Sequence, residues 1–219
     1  MTTTVSYSPD LKALYLGAEP AKANRIFICI HGRGADAAGI VALGQALMSA
    51  GDAVVAPQAD GGSWYPYAFT APRRANEPHL SQALAQQDAL CQALEAAGSS
   101  PGRWIWVGFS QGACLALEFA YTAGQRFGGV AAFSGGLIGP VGQTWPAPAP
   151  ALWAQVPVWL ECDANDAHIP ASRFLETEAA LRAAGAHVHA RLLAGHGHGI
   201  SPDQVKRAQA WLTSLPTTT

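Results

Sequence analysis

The sequence predicts an α/β fold in which helices flank a mostly parallel central sheet. Short runs of β-branched, aliphatic and aromatic residues alternate along the chain with longer Ala- and Leu-rich stretches of helical period. The run at residues 25–30 shows no polar alternation, which is typical of a strand covered on both faces. Alternating strands and helices require crossover connections, and these place helices on both faces of a parallel sheet.

Seven strands and five helices are predicted in this order. The strands cover residues 11–16, 25–30, 53–57, 104–109, 128–134, 156–161 and 187–193, and the helices about residues 36–50, 79–97, 111–123, 171–184 and 202–214. The first strand is expected to be antiparallel, because only the short segment 17–24 joins it to the second. Two long segments, 57–78 and 135–155, are predicted as loops, and long ordered loops on such a scaffold often contact the substrate.

Several predicted helix ends carry recognisable capping residues. Asp36 is the expected N-cap of the first helix, and Ser201, followed by Pro202, is that of the last. Three glycines fall where C-terminal caps belong, namely Gly51, Gly98 and Gly185.

Length and composition predict a single domain covering residues 1–219, with no separate cap domain. A chain of 219 residues with 49% hydrophobic content fits one large core. The formal net charge is −2 and the 13 basic residues form no block, so no nucleic-acid partner is expected. The longest aliphatic stretch, residues 26–30, is far shorter than the ~20 residues of a membrane span, so no membrane insertion is expected.

The amino terminus and the cysteines predict a cytoplasmic location. The first ten residues contain neither the basic nor the apolar region of a secretory signal. The four cysteines include no C-x-x-C pair, so reduced and buried thiols are expected rather than disulfides. His187 and His189 share one face of a strand at a spacing that zinc can use. No complete ligand set accompanies them, and neither a metal nor another cofactor is expected.

The strongest chemical signal is the segment Gly108-Phe109-Ser110-Gln111-Gly112. It lies directly after a predicted strand and directly before a predicted helix. The pattern G-x-S-x-G is weak by itself, but in this context it predicts a tight turn that exposes the serine at the carboxyl edge of the sheet. The competing interpretation is a serine in an ordinary strand–helix turn. The context favours Ser110 as a nucleophile.

Two later segments offer the acid and the base that a serine nucleophile needs. Asp163 and Asp166 follow the strand 156–161, and His196 and His198 follow the strand 187–193. The order serine, acid, histidine is the one that accompanies this type of turn. Position along the chain does not decide which aspartate and which histidine take part.

Four segments resemble the phospholipase/carboxylesterase family of α/β-hydrolases, relatives of the acyl-protein thioesterases. They are His31-Gly-Arg-Gly-Ala, Gly-Phe-Ser110-Gln-Gly-Ala, Asp-Ala-Asn-Asp166-Ala-His-Ile-Pro and Gly-His-Gly-His198-Gly-Ile-Ser. The resemblance implies an α/β-hydrolase fold and a cofactor-free esterase or thioesterase. It matches Ser110, Asp166 and His198 to the family's catalytic triad and so favours them over Asp163 and His196, although Ala167 replaces the family's usual proline.

The oxyanion hole of such an enzyme needs two hydrogen-bond donors. The backbone N–H of Gln111, which follows the nucleophile, is the first candidate. The second donor is expected in the loop after the strand 25–30, and the resemblance assigns it to the N–H of Arg33. Many relatives carry leucine there. We expect the Arg33 side chain to pair with Asp36 or Glu161, rather than to select an acidic substrate, and His31 to brace the loop.

Six apolar or aromatic residues are candidates for substrate binding because they lie in or near the predicted loops. They are Trp64, Tyr65, Phe69, Leu137, Ile138 and Ile169. Aromatic residues in such loops can wall an acyl pocket, and the alternative is that they only pack the loop onto the body of the protein. The small-to-medium size of Leu137, Ile138 and Ile169 predicts a modest acyl pocket.

The sequence thus predicts a serine carboxylesterase that hydrolyses short- to medium-chain esters through an acyl-enzyme. An acyl-protein thioesterase, a lysophospholipase acting on longer chains and a cofactor-free perhydrolase are the alternatives within enzymes. A receptor that binds a ligand without turnover is an alternative from another class. The expected partner is a small-molecule ester, and relatives of the family often form dimers, so a homodimer is included among the expected assemblies.

Overall fold

A computed structural model describes residues 6–8, 10–195 and 197–216 of the chain. Its strands are β1 (Ser6–Ser8), β2 (Ala13–Gly17), β3 (Ile26–Ile30), β4 (Ala53–Pro57), β5 (Trp104–Phe109), β6 (Gly129–Phe133), β7 (Pro157–Asp163) and β8 (His187–Leu193). Its α-helices are α1 (Ala37–Leu47), α2 (His79–Ala96), α3 (Gln111–Thr122), α4 (Pro150–Trp153), α5 (Ala171–Ala183) and α6 (Pro202–Ser214). Short 3₁₀ turns at Asp60–Gly62 and Arg73–Asn76 interrupt the segment 57–78.

The strands form one mixed sheet in the order β1-β2-β4-β3-β5-β6-β7-β8. The six strands from β3 to β8 run parallel to one another, and β1 and β2 are antiparallel at one edge. The predicted antiparallel direction of β2 is confirmed. It pairs with β4 rather than with β3, to which the short connection joins it.

Two buried layers hold the sheet between helices. Along β3, Ile26, Ile28 and Ile30 face the layer that contains α2 and α3, while Phe27 and Cys29 face the layer of α1 and α6. This two-residue period explains why the strand is apolar at every position, since both of its faces are covered. The predicted α/β fold with helices on both faces of the sheet is confirmed.

Most predicted elements agree with the structure to within two residues at each end. The capping prediction is confirmed for Asp36, whose carboxylate accepts from Gly39 N at 2.7 Å, and for Ser201, which forms a capping box with Gln204. Gly98 and Gly185 follow the last residues of α2 and α5 at positive φ. The prediction for Gly51 is wrong, because α1 ends at Leu47. Strand β1 and helix α4 were not predicted, since three and four residues are too few to show a repeating pattern in the sequence.

The parallel strands bring their carboxyl ends to one edge of the sheet. The loops that follow β3, β5, β7 and β8 meet there, and these loops contain the motifs identified in the sequence. In a parallel α/β sheet this edge is where ligands bind. Within the described ranges, none of the helices combines the length and the apolar character that crossing a bilayer requires.

Candidate active site

Ser110 lies at a sharp turn between β5 and α3. Its backbone has φ 56° and ψ −122°, a conformation that is strained for a residue with a side chain. The turn is tight enough that a Cβ on Gly108 would lie 2.4 Å from the carbonyl oxygen of Gly112. A Cβ on Gly112 would lie 2.1 Å from the carbonyl oxygen of Ile30, at the end of β3. Both glycines are therefore required by close backbone approach, as the sequence motif indicates.

Ser110, His198 and Asp166 form a continuous hydrogen-bonded chain. The Nε2 atom of His198 lies 2.8 Å from the Ser110 hydroxyl, and its Nδ1 atom lies 2.8 Å from Oδ2 of Asp166. The structure thus brings together the three residues that the motifs identify. With the proton on Nδ1 bound to the carboxylate, Nε2 faces the serine as an acceptor.

The surroundings of Asp166 fix the position of its carboxylate. Its Oδ1 atom accepts from the backbone N–H groups of His168 and Ile169 at 2.8 and 3.0 Å. Burial alone would raise the pKa of Asp166, but the hydrogen bonds from His198 and from these two amides outweigh it and hold the pKa below its ordinary value. The carboxylate is therefore charged at neutral pH.

Asp163 and His196 are the alternatives to Asp166 and His198 that the sequence left open. Asp163 is buried at the end of β7, and its Oδ1 atom accepts from the N–H of Asn165 at 2.8 Å, within the turn that presents Asp166. Asp166, rather than Asp163, lies at hydrogen-bond distance from His198. The geometry therefore favours Asp166 as the carboxylate partner of the histidine. His196 lies outside the described residues.

Two rings contact the imidazole of His198. The centroid of the Phe109 ring lies 5.0 Å from that of His198, and the ring of His168 meets it edge-on at 4.5 Å. Phe109 is the residue before Ser110, so the strand that presents the serine also supports the histidine. These contacts restrict the imidazole to the orientation in which both of its nitrogens are bound.

The amide groups of Arg33 and Gln111 are available beside Ser110. Within the described residues, neither backbone N–H donates a hydrogen bond to a protein acceptor. Gln111 begins α3, whose positive end favours negative charge at this point. His31 braces the 31–34 loop as expected: its Nδ1 atom binds Gly32 O at 2.8 Å, and its Nε2 atom accepts from Ala59 N at 3.1 Å. Burial lowers the pKa of His31, which keeps the ring neutral in this role.

The side chains of Arg33 and Gln111 hold the segment 64–69, here called the aromatic loop. The Arg33 guanidinium donates to the carbonyl oxygens of Pro66 and Tyr67, both at 2.8 Å. The side-chain amide of Gln111 accepts from Trp64 N at 3.0 Å and donates to Tyr65 O at 2.8 Å. The two residues whose amides are candidate oxyanion donors thus also fix the loop beside them.

The expected pairing of the Arg33 side chain with Asp36 or Glu161 is wrong. The Asp36 carboxylate caps α1, and the Glu161 carboxylate, fully buried at the end of β7, binds the Arg207 guanidinium at 2.9 Å. Both acids are therefore occupied elsewhere. The guanidinium is solvent-exposed and uses main-chain carbonyls of the aromatic loop instead.

A cavity of about 290 Å³ opens beside Ser110. It is lined by Arg33, Tyr65, Ala68, Phe69, Ser110, Gln111, Cys114, His168, Ile169 and His198. Three of the predicted substrate-binding residues, Tyr65, Phe69 and Ile169, are among them. Burial raises the pKa of Tyr65 well above its usual range and that of Cys114 to about 12, so both remain neutral.

The other three predicted substrate-binding residues do not line this cavity. Trp64 is buried and donates its indole N–H to His31 O at 2.8 Å. Leu137 and Ile138 are fully buried in the core, where their amides bind Thr177 and Glu118. The prediction failed because position in a loop does not show which way a side chain turns, and a large apolar side chain turns toward the core.

Cys114, His168 and Ala68 line the cavity but were not predicted to do so. Cys114 follows Ser110 by four residues in α3, and residues four apart lie on one face of a helix. That spacing was a signal from which the cysteine could have been found. His168 lies within the acid motif, two residues after Asp166, whereas nothing in the sequence distinguishes Ala68.

Glu118, a buried acid on α3, joins the two long irregular segments to the helix that follows Ser110. Its carboxylate accepts from the N–H of Ile138 at 3.3 Å and pairs with the guanidinium of Arg73. Arg73 belongs to the segment 57–78 and Ile138 to the segment 135–155. One buried charge therefore fastens both segments beneath the cavity.

Comparison with known proteins agrees with this architecture. A family model described as Phospholipase/Carboxylesterase matches residues 16–215. A phospholipase/carboxylesterase from Dyadobacter fermentans shares 34% identity and superposes with a TM-score of 0.84, over 96% of this chain and 98% of the other. Esterase PE8 shares 26% identity, with a TM-score of 0.76 over 97% of this chain and 100% of the other.

A carboxylesterase from Mesorhizobium loti superposes with a TM-score of 0.73 at 20% identity, over 96% of this chain and 99% of the other, and this supports the fold alone. No curated protein matches the chain by sequence. The family match and the structures that share more than a quarter of their residues mark the chain as a serine ester hydrolase with an α/β-hydrolase fold. The chain belongs to the phospholipase/carboxylesterase family.

Proposed function

We propose that this protein is a carboxylesterase that hydrolyses short- to medium-chain esters with Ser110 as nucleophile, His198 as general base and acid, and Asp166 as the residue that orients the histidine. The observation that carries the proposal is the position of His198, whose two ring nitrogens lie 2.8 Å from Ser110 Oγ and 2.8 Å from Asp166 Oδ2. This is hydrogen-bond distance for proton transfer from the hydroxyl.

The first half of the reaction forms an acyl-enzyme. Ser110 Oγ attacks the ester carbonyl carbon while its proton passes to Nε2 of His198, and the Asp166 carboxylate stabilises the imidazolium that results. The carbonyl oxygen becomes an oxyanion, for which the N–H groups of Arg33 and Gln111 are the donors. The tetrahedral intermediate then expels the alcohol, which takes the proton from His198.

The second half releases the acid. Water gives a proton to His198 and attacks the acyl carbon. His198 then returns that proton to Ser110 Oγ as the second tetrahedral intermediate collapses. The same two amides stabilise the second oxyanion. In a related type of site, loss of one such donor lowers turnover about 10²–10³-fold.

The size of the cavity supports a short or medium acyl chain. Its volume of about 290 Å³ lies at the lower end of ligand pockets, which span roughly 300–1,000 Å³. Phe69 and Ile169 are apolar walls, and the neutral Cys114 lies one helical turn beyond Ser110. We therefore expect a palmitoyl chain to extend beyond the apolar walls that these residues supply.

The test is hydrolysis of p-nitrophenyl esters from acetate to palmitate by the wild type and by Ser110→Ala. Ser81→Ala, an exposed serine on α2, is the matched control. We expect the wild type and the control to be most active on short or medium esters and Ser110→Ala to lose activity by at least about 10³-fold. Preference for palmitate would favour a thioesterase or lysophospholipase, and equal activity in Ser110→Ala would refute the nucleophile.

A fluorophosphonate probe provides a second readout that does not depend on the ester chosen. It should add to one site on the wild type, as seen in the intact mass, and not to Ser110→Ala. Peptide mapping should locate the adduct on Ser110. A wild type that turns over no ester but takes up the probe would indicate a narrow-specificity enzyme, and one that does neither would favour the receptor alternative.

A further inference from the structure

Arg33 contributes a fixed positive charge to the lining of the cavity. His168 and His198 also line it, and the described residues of the lining include no carboxylate. Tyr65 and Cys114 are neutral, because burial raises the pKa of both. A site bounded on one side by low-dielectric protein concentrates the field of such groups, so its charge acts on any ligand that enters.

Two acids that follow the cavity-lining residues or bind one of them, Asp166 and Glu118, are already occupied. Asp166, behind His198, accepts hydrogen bonds from His198 and from the amides of His168 and Ile169. Glu118, buried on α3, pairs with Arg73. Neither carboxylate lies in the lining itself. The positive charge of Arg33 is therefore not neutralised inside the cavity by these acids.

Arg33 retains hydrogen-bonding capacity for a ligand. A guanidinium has five N–H donors. The carbonyl oxygens of Pro66 and Tyr67 each take one of them, on different nitrogens. These two bonds hold the guanidinium rigidly at the cavity, and within the described residues no carboxylate forms an ion pair with it. A charged group fixed in place and without a counter-ion suits a planar anion such as a carboxylate.

We propose that the preferred substrates are short esters that carry a carboxylate in addition to the ester bond, and that the Arg33 side chain is the specificity-determining residue that binds this carboxylate. This inference rests on the proposed esterase function and narrows its substrate class. It also gives the guanidinium a role beyond fixing the aromatic loop. A residue that only fixed the loop would affect neutral and anionic esters alike.

The experiment compares two esters of nearly the same shape. One carries a free carboxylate, and in the other a neutral amide group replaces that carboxylate. In the acyl arm the pair is monomethyl succinate and methyl succinamate, and in the alcohol arm it is 4-acetoxybenzoate and 4-acetoxybenzamide. The kcat/KM ratio of anion to amide is measured in the wild type, Arg33→Gln, Arg33→Lys and Arg126→Gln. Arg126 is an exposed arginine before β6, at the opposite edge of the sheet, and is the matched control.

We expect the anion-to-amide ratio to fall about tenfold in Arg33→Gln in at least one arm, as expected for loss of a charged hydrogen bond at a solvent-exposed site. Arg33→Lys should keep most of the ratio because it keeps the charge, and Arg126→Gln should keep all of it. The differing chemical reactivity of the two esters cancels when ratios are compared between variants. The arm that responds identifies whether the carboxylate lies on the acyl or the alcohol side.

Salt provides a test that needs no variant. Raising NaCl from about 20 mM to about 500 mM should lower kcat/KM of the wild type for the anionic ester, because the charge of Arg33 is exposed to screening. The kcat/KM for the matched ester with the neutral amide group should not change. Hydrolysis of both esters with a ratio that neither Arg33→Gln nor salt alters would overturn this inference and leave the esterase function intact. Hydrolysis of neither ester, nor of the p-nitrophenyl series, would overturn both.

Discussion

Gly112 is the residue at which the turn at Ser110 contacts the end of β3 and the 31–34 loop. Its replacement by alanine is a stringent test of the site geometry. An added Cβ would lie 2.1 Å from Ile30 O and 2.5 Å from His31 O. Both oxygens belong to the main chain, one at the end of a central strand, so neither can rotate away. Relief requires α3 and the end of β3 to separate by about 1 Å, and displacements of that size cost about 10²-fold in rate.

Two opposing effects decide the stability of Gly112→Ala. Alanine in a helix is favoured over glycine by about 0.5–1 kcal/mol. Overpacking of a well-packed interior costs about 1–3 kcal/mol and occasionally more, and a contact near 2 Å with main-chain atoms belongs at the upper end. We therefore expect a net loss of about 2–3 kcal/mol, which for a chain of this size lowers Tm by about 4–12 °C.

The assay is a thermal melt together with kcat/KM on a short p-nitrophenyl ester. Gly39→Ala in α1 is the matched control, because its Cβ would meet only the side-chain Oδ1 of Asp36, at 3.3 Å. Its stability should equal that of the wild type or exceed it by up to about 1 kcal/mol, the helix preference of alanine over glycine, with unchanged activity. A Gly112→Ala protein with wild-type Tm and wild-type kcat/KM would refute the argument that this close approach sets the geometry of the site.

Three further predictions concern other parts of the molecule. Asp166→Asn should lower kcat about 10³–10⁴-fold, because the amides that bind Oδ1 would turn the new NH₂ group toward Nδ1 of His198 and impose the wrong tautomer. Since the folded-state pKa of Asp166 is depressed, its stabilisation is present above the unfolded pKa and is lost as pH falls through the folded pKa. The difference in Tm between the wild type and this variant should therefore shrink on acidification, and a constant difference would contradict the assignment. The four thiols are buried, and burial raises the pKa of each. A disulfide reagent at about pH 8 should therefore react with none of them before the protein unfolds. Loss of activity on treatment of the native protein would show that Cys114 is accessible. Glu161→Gln should lower the free energy of unfolding by about 1–2 kcal/mol, because it removes the buried charge bound by the partly exposed Arg207. Its kcat/KM should remain that of the wild type, and a selective loss of activity without loss of Tm would contradict a structural role.

The parts of the site that the sequence predicts correctly are those carried by local motifs. The turn at Ser110 depends on glycines two residues away on either side, and the sheet then requires the loops after β5, β7 and β8 to meet at one edge. The proximity of Ser110, Asp166 and His198 follows from these two facts. The resemblance to the family supplied the register that distinguished Asp166 from Asp163, which spacing did not.

The parts that the sequence does not predict depend on main-chain partners and on the direction of side chains in loops. Arg33 binds two carbonyl oxygens, and every residue has a carbonyl, so no residue type indicates such a partner in advance. Trp64 has the composition expected of a pocket wall, yet its indole N–H finds an acceptor in the core at His31 O. Such choices are decided by packing among segments distant in sequence.

Glu118 binds residues of two different loop segments, and this limits how the sequence around the site can be altered. A loop that lies free on the surface can be exchanged between relatives with little effect on the rest of the protein, whereas the segments 57–78 and 135–155 share one buried anion on α3. A graft of either segment that lacks its donor leaves that anion with half of its partners, at a cost borne by the helix that begins beside Ser110. A redesign of the substrate range of this protein therefore has to change both segments and position 118 together.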